Sequence, residues 1–191
     1  MRPTWAEIDL EIISSNTSIF YELLDDSVEL CAVVKADGYG HGGVEVARQV
    51  LDSGATWLAV AFVEEAAALR SEGIEAPILL LSEPRPNEMR EVVELGGVRP
   101  AIYTRAGVDA FSSVTHEGAP VHLKVDTGMH RVGARPNEII ELASYIVESG
   151  LQLEGVFTHF ALASTPTDSF NRSQIELFDR VLGDLADAGH T

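Results

Sequence analysis

Short runs rich in Val, Ile and Leu recur along the chain, each followed by a stretch with helical spacing of apolar residues, and this alternation constrains the fold most strongly. After an opening helix predicted at about Leu10 to Leu24, six runs read as strands: Glu29 to Lys35, Thr56 to Ala61, Pro77 to Leu81, Val98 to Tyr103, Val121 to Val125 and Leu153 to Phe157. They recur at intervals of about 20 to 32 residues, which leaves room for a helix after each strand. Runs that are apolar throughout, rather than alternating, mark strands covered on both faces, and helical crossovers make such strands parallel. The chain reads as an α/β protein. Six βα units suit either an open doubly wound sheet or most of an eight-stranded β/α barrel, for which about 250 residues is typical. On the barrel reading two units are missing, and the helical stretch Ser173 to Ala188 runs into Thr191 where a further strand is expected, as in a truncation.

The composition is that of a folded, soluble chain: 46% hydrophobic and 23% charged residues, with no low-complexity tract. Thirteen Lys and Arg against thirty Asp and Glu leave a net charge of −17, which repels phosphate backbones and anionic lipid, so neither nucleic acid nor membrane is expected as a partner. The longest apolar stretches fall far below the roughly 20 residues of a membrane helix, and MRPTWAEIDL lacks the apolar core of a signal peptide. A cytoplasmic protein is expected. The lone Cys31, inside the run Leu30 to Val34, is expected to be a buried structural thiol. No metal site is expected.

Three clusters stand at predicted strand ends. Lys35 terminates the apolar run Cys31 to Val34; partial burial there would favour the neutral amine that attacks carbonyls, while a lysine merely marking the strand's exit into solvent is the plainer alternative. The glycine-rich turn Asp37 to Gly43 follows, before a helix expected near Val44. Such a turn can hold an anion, and Tyr39 adds a hydroxyl able to bind a phosphate oxygen, whereas His41 is as readily a packing residue. The second cluster runs from Lys124 through Asp126, Thr127 and His130 to Arg131 and Gly133. Its two cations could meet beyond a strand end, Arg131 offering a planar fork to a carboxylate or phenolate or, more plainly, a salt bridge. The third is Thr158-His159-Phe160-Ala161. Glu64, Glu65 and Glu91 to Glu94 read as solvated helix faces, and Trp57 and Phe62 as packing around a strand.

The segment VVKADGYGHGG closely resembles the cofactor-lysine motif of alanine racemases, and PTWAEIDL and DTGMHRVG resemble other segments of that family. The likeness spans essentially all 191 residues, about half of a family member. It implies a (β/α)8 TIM-type barrel of which about six units are present. Residues 1–9 would be a strand that pairs with a carboxyl-terminal β domain absent here, and residues 10–191 a partial barrel domain binding pyridoxal 5′-phosphate (PLP). It also implies roles for residues. Lys35 would hold PLP as a Schiff base and act as one of two racemising bases, and Tyr39 would bind the cofactor phosphate. Arg131 would lie beside the ring and its phenolic oxygen and contact substrate, Lys124, often carbamylated in the family, would support Arg131, and His159 would orient an arginine beyond Thr191. His130 stands where the familiar pattern has glycine.

The resemblance further implies interconversion of L- and D-alanine, which supplies D-alanine for peptidoglycan, in a homodimer whose other subunit contributes a tyrosine as the opposite base. That tyrosine and the main phosphate anchor fall outside this chain, so the chain alone is expected to be weakly active or inactive. Two other readings stay open at this point: a non-catalytic PLP-binding or carrier protein of related barrel fold, and an inactive racemase remnant.

Overall fold

The computed structural model describes Pro3 to His190. The chain divides into two compact units, Met1–Leu81 with Leu95–Val98, and Ser82–Glu94 with Arg99–Thr191. Residues 1 and 2 of the expected amino-terminal strand, and Thr191 of the expected barrel segment, lie outside the described residues.

In the first unit, Pro3 to Asp9, within the segment expected as a strand, carry no strand pairing. Helix α1 (Leu10–Glu22) starts where the Asp9 carboxylate accepts the amides of Glu11 and Ile12, satisfying two of the donors a helix start leaves open. Helix α2 (Gly43–Asp52) is followed by Gly54, at φ +113°; a Cβ there would stand 2.6 Å from the Tyr21 ring, so only glycine allows α1 to come this close. The sheet holds β1 (Cys31–Val33), β2 (Trp57–Val60), β3 (Ile78–Leu80) and β4 (Val98–Arg99), in that order. Strand β2 is parallel to both β1 and β3, with Ala32 opposite Leu58 and Ala59 opposite Leu79. Leu58, Ala59, Val60, Ile78 and Leu80 are buried together with Val46, Ala47 and Val50 of α2 and Val63, Ala66 and Leu69 of α3 (Val63–Ser71). Those helix residues recur every three or four positions, the spacing of one face, and each large side chain so covered contributes about 1.5–3 kcal/mol.

Three expectations fail in this unit. The first strand is not covered on both faces: Cys31 is exposed and Val33 is 41% exposed, because β1 lies at the edge of this sheet. Its surroundings nevertheless push the Cys31 thiol up to about 11, by desolvation, so it stays protonated at neutral pH. Phe62, expected to pack around a strand, is exposed, although Trp57 is half-buried and its indole donates to the Glu29 carboxylate. The strand expected across Val98 to Tyr103 is broken at Pro100, which has no N–H for a ladder, leaving β4 and β5 (Ala101–Ile102) on either side.

The second unit holds a parallel sheet of β5, β6 (Ala119–Lys124) and β7 (Leu151–Phe157), with a register irregularity between Val121 and His122. Its helices are α4 (Met89–Leu95), α5 (Arg105–Ser112), α6 (Ile139–Glu148) and α7 (Ser169–Asp187). Val121 and Leu123 point to the buried side of β6, and Val108, Phe111, Ile139, Leu142, Ile146, Val181 and Leu185 supply the helical half of the core. Thr104 and Asp168 cap α5 and α7 through the amides of Gly107 and Phe170. No helix among the described residues is long and apolar enough to cross a membrane.

Candidate active site

Lys35 does not end a strand as expected; it stands two residues past β1 and opens a turn, Lys35–Gly40, that winds left-handed. Ala36, Asp37, Gly38 and Tyr39 have φ of 51°, 54°, 60° and 58°, a conformation that costs about 1–2 kcal/mol for each residue carrying a Cβ. Local bonds compensate. The Asp37 carboxylate accepts the Gly43 amide at 2.6 Å, the Asp37 carbonyl accepts the Gly42 amide, and the Gly38 carbonyl lies 2.8 Å from His41 Nδ1. His41, itself exposed, is thereby tied to the turn's own backbone. The winding brings Lys35 Nζ to 5.8 Å from the centroid of the exposed Tyr39 ring, a cation–π arrangement, with Lys35 itself half-buried.

Glu65, read from sequence as part of a solvated helix face, is not one. It is the third residue of α3, and its carboxylate accepts the amides of Ala36 at 2.6 Å, Ala61 at 2.7 Å and Phe62 at 3.1 Å. A glutamate three residues after a strand-to-helix junction is the half of a capping box that reaches back to the first amide, and that spacing was the signal available in the sequence.

In the second unit the expected residues do meet. Lys124, Asp126, Met129, Arg131, Thr158 and His159 line one narrow cavity. Lys124, the last residue of β6, is buried, its ammonium 5.1 Å from the centroid of Phe157. Arg131 and His159 are exposed, so the cavity joins a buried cation to two solvent-facing groups. The loop carrying Arg131 turns back on the strand: Val125 bridges Ala134, the Asp126 amide donates to the Ala134 carbonyl, and the Ala134 amide donates to the Lys124 carbonyl. Asp126 accepts the amides of Gly128 and His130 as the expected turn residue. Burial raises its pKa, but these bonds and the His130 ring outweigh burial and hold it below the usual carboxylate value. His130 has φ +54°, a conformation that glycine takes at less cost. Gln174 of α7, missed in the sequence, is fully buried and ties the third cluster to the second: its amide nitrogen donates to Thr127 Oγ1 and the His159 carbonyl, and its oxygen accepts the Ala161 amide.

The profile of the family described as "Alanine racemase, N-terminal domain" matches residues 8–191. This chain belongs to that family. The alanine racemase of Symbiobacterium thermophilum is 42% identical, over 99% of this chain and 51% of its own length. Among solved structures, alanine racemase from Bacillus anthracis with bound L-Ala-P superposes with a TM-score of 0.88 at 37% identity, over 100% of this chain and 50% of that one. Alanine racemase of Clostridium difficile 630 in complex with cycloserine gives 0.87 at 33% identity, over 99% and 53%. The chain therefore spans about half the length of the alanine racemases it matches, and its succession of parallel βα units is that of a partial β/α barrel of their class.

Proposed function

We propose that this chain is the amino-terminal part of a PLP-dependent alanine racemase, which interconverts L- and D-alanine. The observation that carries this reading is the placement of Lys35 beyond a strand end, half-buried, with its amine beside the Tyr39 ring, inside a region that matches the alanine racemase family. Each unit offers groups that fit the cofactor: in the first, Lys35 is a primary amine for an aldehyde and Tyr39 a phenol for a phosphate, and in the second, Arg131 suits an anionic oxygen.

When bound, PLP supplies a conjugated ring that accepts electron density as the α-proton of the amino acid leaves. Lys35 is the amine that holds the cofactor and carries the proton on one face of the substrate. The Tyr39 hydroxyl donates to a phosphate oxygen. Arg131 would hold the ring's phenolic oxygen and the substrate, and Lys124, buried and lining the same cavity as Arg131, would support its orientation. His159 orients a further arginine of the whole protein. The opposite base is a tyrosine of a second subunit, so the working form is a homodimer, and the opening segment pairs with the carboxyl-terminal β domain of the whole protein. Alanine is favoured as substrate because L-Ala-P and cycloserine are bound by the similar racemases. The protein is assigned to the cytoplasm, where its product feeds peptidoglycan synthesis.

The test is circular dichroism of L-alanine incubated with the whole protein and PLP, beside borohydride reduction and peptide mass mapping. Loss of optical rotation and a reduced cofactor adduct on Lys35, both abolished in Lys35→Ala, are expected. Retained racemisation in Lys35→Ala, or an adduct on another lysine, would overturn the assignment.

A further inference from the structure

Among the first unit's carboxylates, Glu65 alone reaches from the end of β2 to the peptide that follows Lys35. All three groups it accepts from are backbone amides, two at its own helix start and one, Ala36, 29 positions earlier in the chain. The Ala36 amide is bonded to the Lys35 carbonyl carbon, so fixing it fixes the peptide plane from which the Lys35 side chain departs. Ala36 is also the first residue of the left-handed run, where the chain leaves the extended path of β1. Glu65 borders an apolar hollow lined by Val34, Val44, Val60 and Leu69, and its 2.6 Å bond to the exposed Ala36 amide is strengthened by the charge on the acceptor. Asp37 and Glu64 border the same hollow, but the Asp37 carboxylate is engaged by the Gly43 amide, inside the turn.

We propose that Glu65 is a positioning residue for Lys35: its carboxylate clamps the Ala36 amide to the start of α3 and so sets where the lysine amine stands. This rests on the reading of Lys35 as the cofactor amine only for its catalytic consequence; the clamp itself acts on the backbone. A carboxylate is required because every partner is a donor. Glutamine keeps the size but presents one NH₂ to backbone N–H groups, and aspartate is one methylene too short to reach both ends.

The experiment compares wild type, Glu65→Gln and Glu65→Asp in the whole protein. Amide hydrogen exchange at Ala36, the NMR chemical shift of Lys35 Nζ without cofactor, and the rate of borohydride-fixed PLP incorporation at Lys35 are read in each. Exchange at Ala36 is expected to accelerate about tenfold or more in both variants, with a moved Lys35 Nζ resonance and about tenfold slower incorporation. If both variants keep the wild-type Ala36 exchange and the wild-type Lys35 resonance, the clamp does not exist and the inference falls. If wild type takes up no PLP at Lys35 while the variants still move the Lys35 resonance, the cofactor reading falls and the positioning role stands. Should Glu65→Gln not fold, Glu65→Asp decides by the same readouts.

Discussion

Lys35 Nζ sits 5.8 Å from the centroid of the Tyr39 ring, a pairing of residues four apart that an extended strand could not make and that the left-handed turn between them creates. Tyr39→Phe keeps the ring and the turn and removes only the hydroxyl. Loss of one hydrogen bond to a charged phosphate is worth about 1.5–3 kcal/mol, so PLP affinity should fall roughly 10- to 150-fold, read by fluorescence titration of the whole protein. An unchanged dissociation constant would remove Tyr39 from the phosphate site.

A Cβ on Gly107 would lie 2.3 Å from the Glu83 carboxylate, which accepts the amides of Tyr103 and Thr104 and the Thr104 hydroxyl. Gly107→Ala should therefore lower stability by about 1–3 kcal/mol, despite alanine's better helix propensity. In a Glu83→Ala background the same substitution should cost nothing or stabilise. Urea denaturation of the four proteins measures this coupling, and additive effects would contradict it.

Gly133 has φ +127°, and a Cβ there would come within 2.8 Å of the Asp126 amide nitrogen and 3.0 Å of the Val125 carbonyl carbon, backbone atoms that cannot swing aside. Gly133→Ala should break the Asp126–Ala134 pairing, cost about 2 kcal/mol or more, and release the loop bearing Arg131. Faster amide exchange at Asp126 and Ala134 would report it; unchanged exchange would show that the loop has another anchor.

His130→Gly should behave oppositely. Relief of the left-handed conformation gains about 1–2 kcal/mol, glycine's larger unfolded-state entropy takes back about 0.5–1 kcal/mol, and the lost contact between Asp126 and the highly exposed His130 ring is worth little. The denaturation midpoint should stay level or rise, and a clear fall would mean that the imidazole matters more than its exposure suggests.

Acid should weaken the second unit in two stages. Burial holds His122 below the usual imidazole range, against the opposing pull of Glu154 beside it. A histidine with a depressed folded pKa contributes fully above its unfolded value and loses that contribution as pH drops below about 6.5. Glu154 and Asp126 lie below the ordinary carboxylate value despite burial that raises them, Glu154 through Arg99 and His122, Asp126 through the His130 and Gly128 amides. Their contribution disappears only at lower pH, as each is protonated. Unfolding free energy measured against pH should show both stages, and His122→Asn should erase the upper one.

Much of this protein is written locally. Apolar runs bounded by helical periodicity determined the order and parallel sense of the βα units, because a strand covered on both faces must be apolar at every position. The segments around Lys35, Arg131 and His159 stood out through their resemblance to a family, because a lysine, arginine or histidine near a strand end fits a plainer structural role just as well. The tertiary structure decided the rest. Three residues with a Cβ, Ala36, Asp37 and Tyr39, take a conformation that local preference disfavours, and it persists because Glu65 and other partners along the chain hold it. Cys31 is exposed although its run is apolar, because burial depends on which strand stands at the edge of this sheet. Glu65 carried a local signal for its bonds at the start of α3, but its bond to the Ala36 amide, like those of Gln174 to Thr127 and His159, left no trace in the neighbouring sequence, since such partners are chosen by what folding brings next to the side chain.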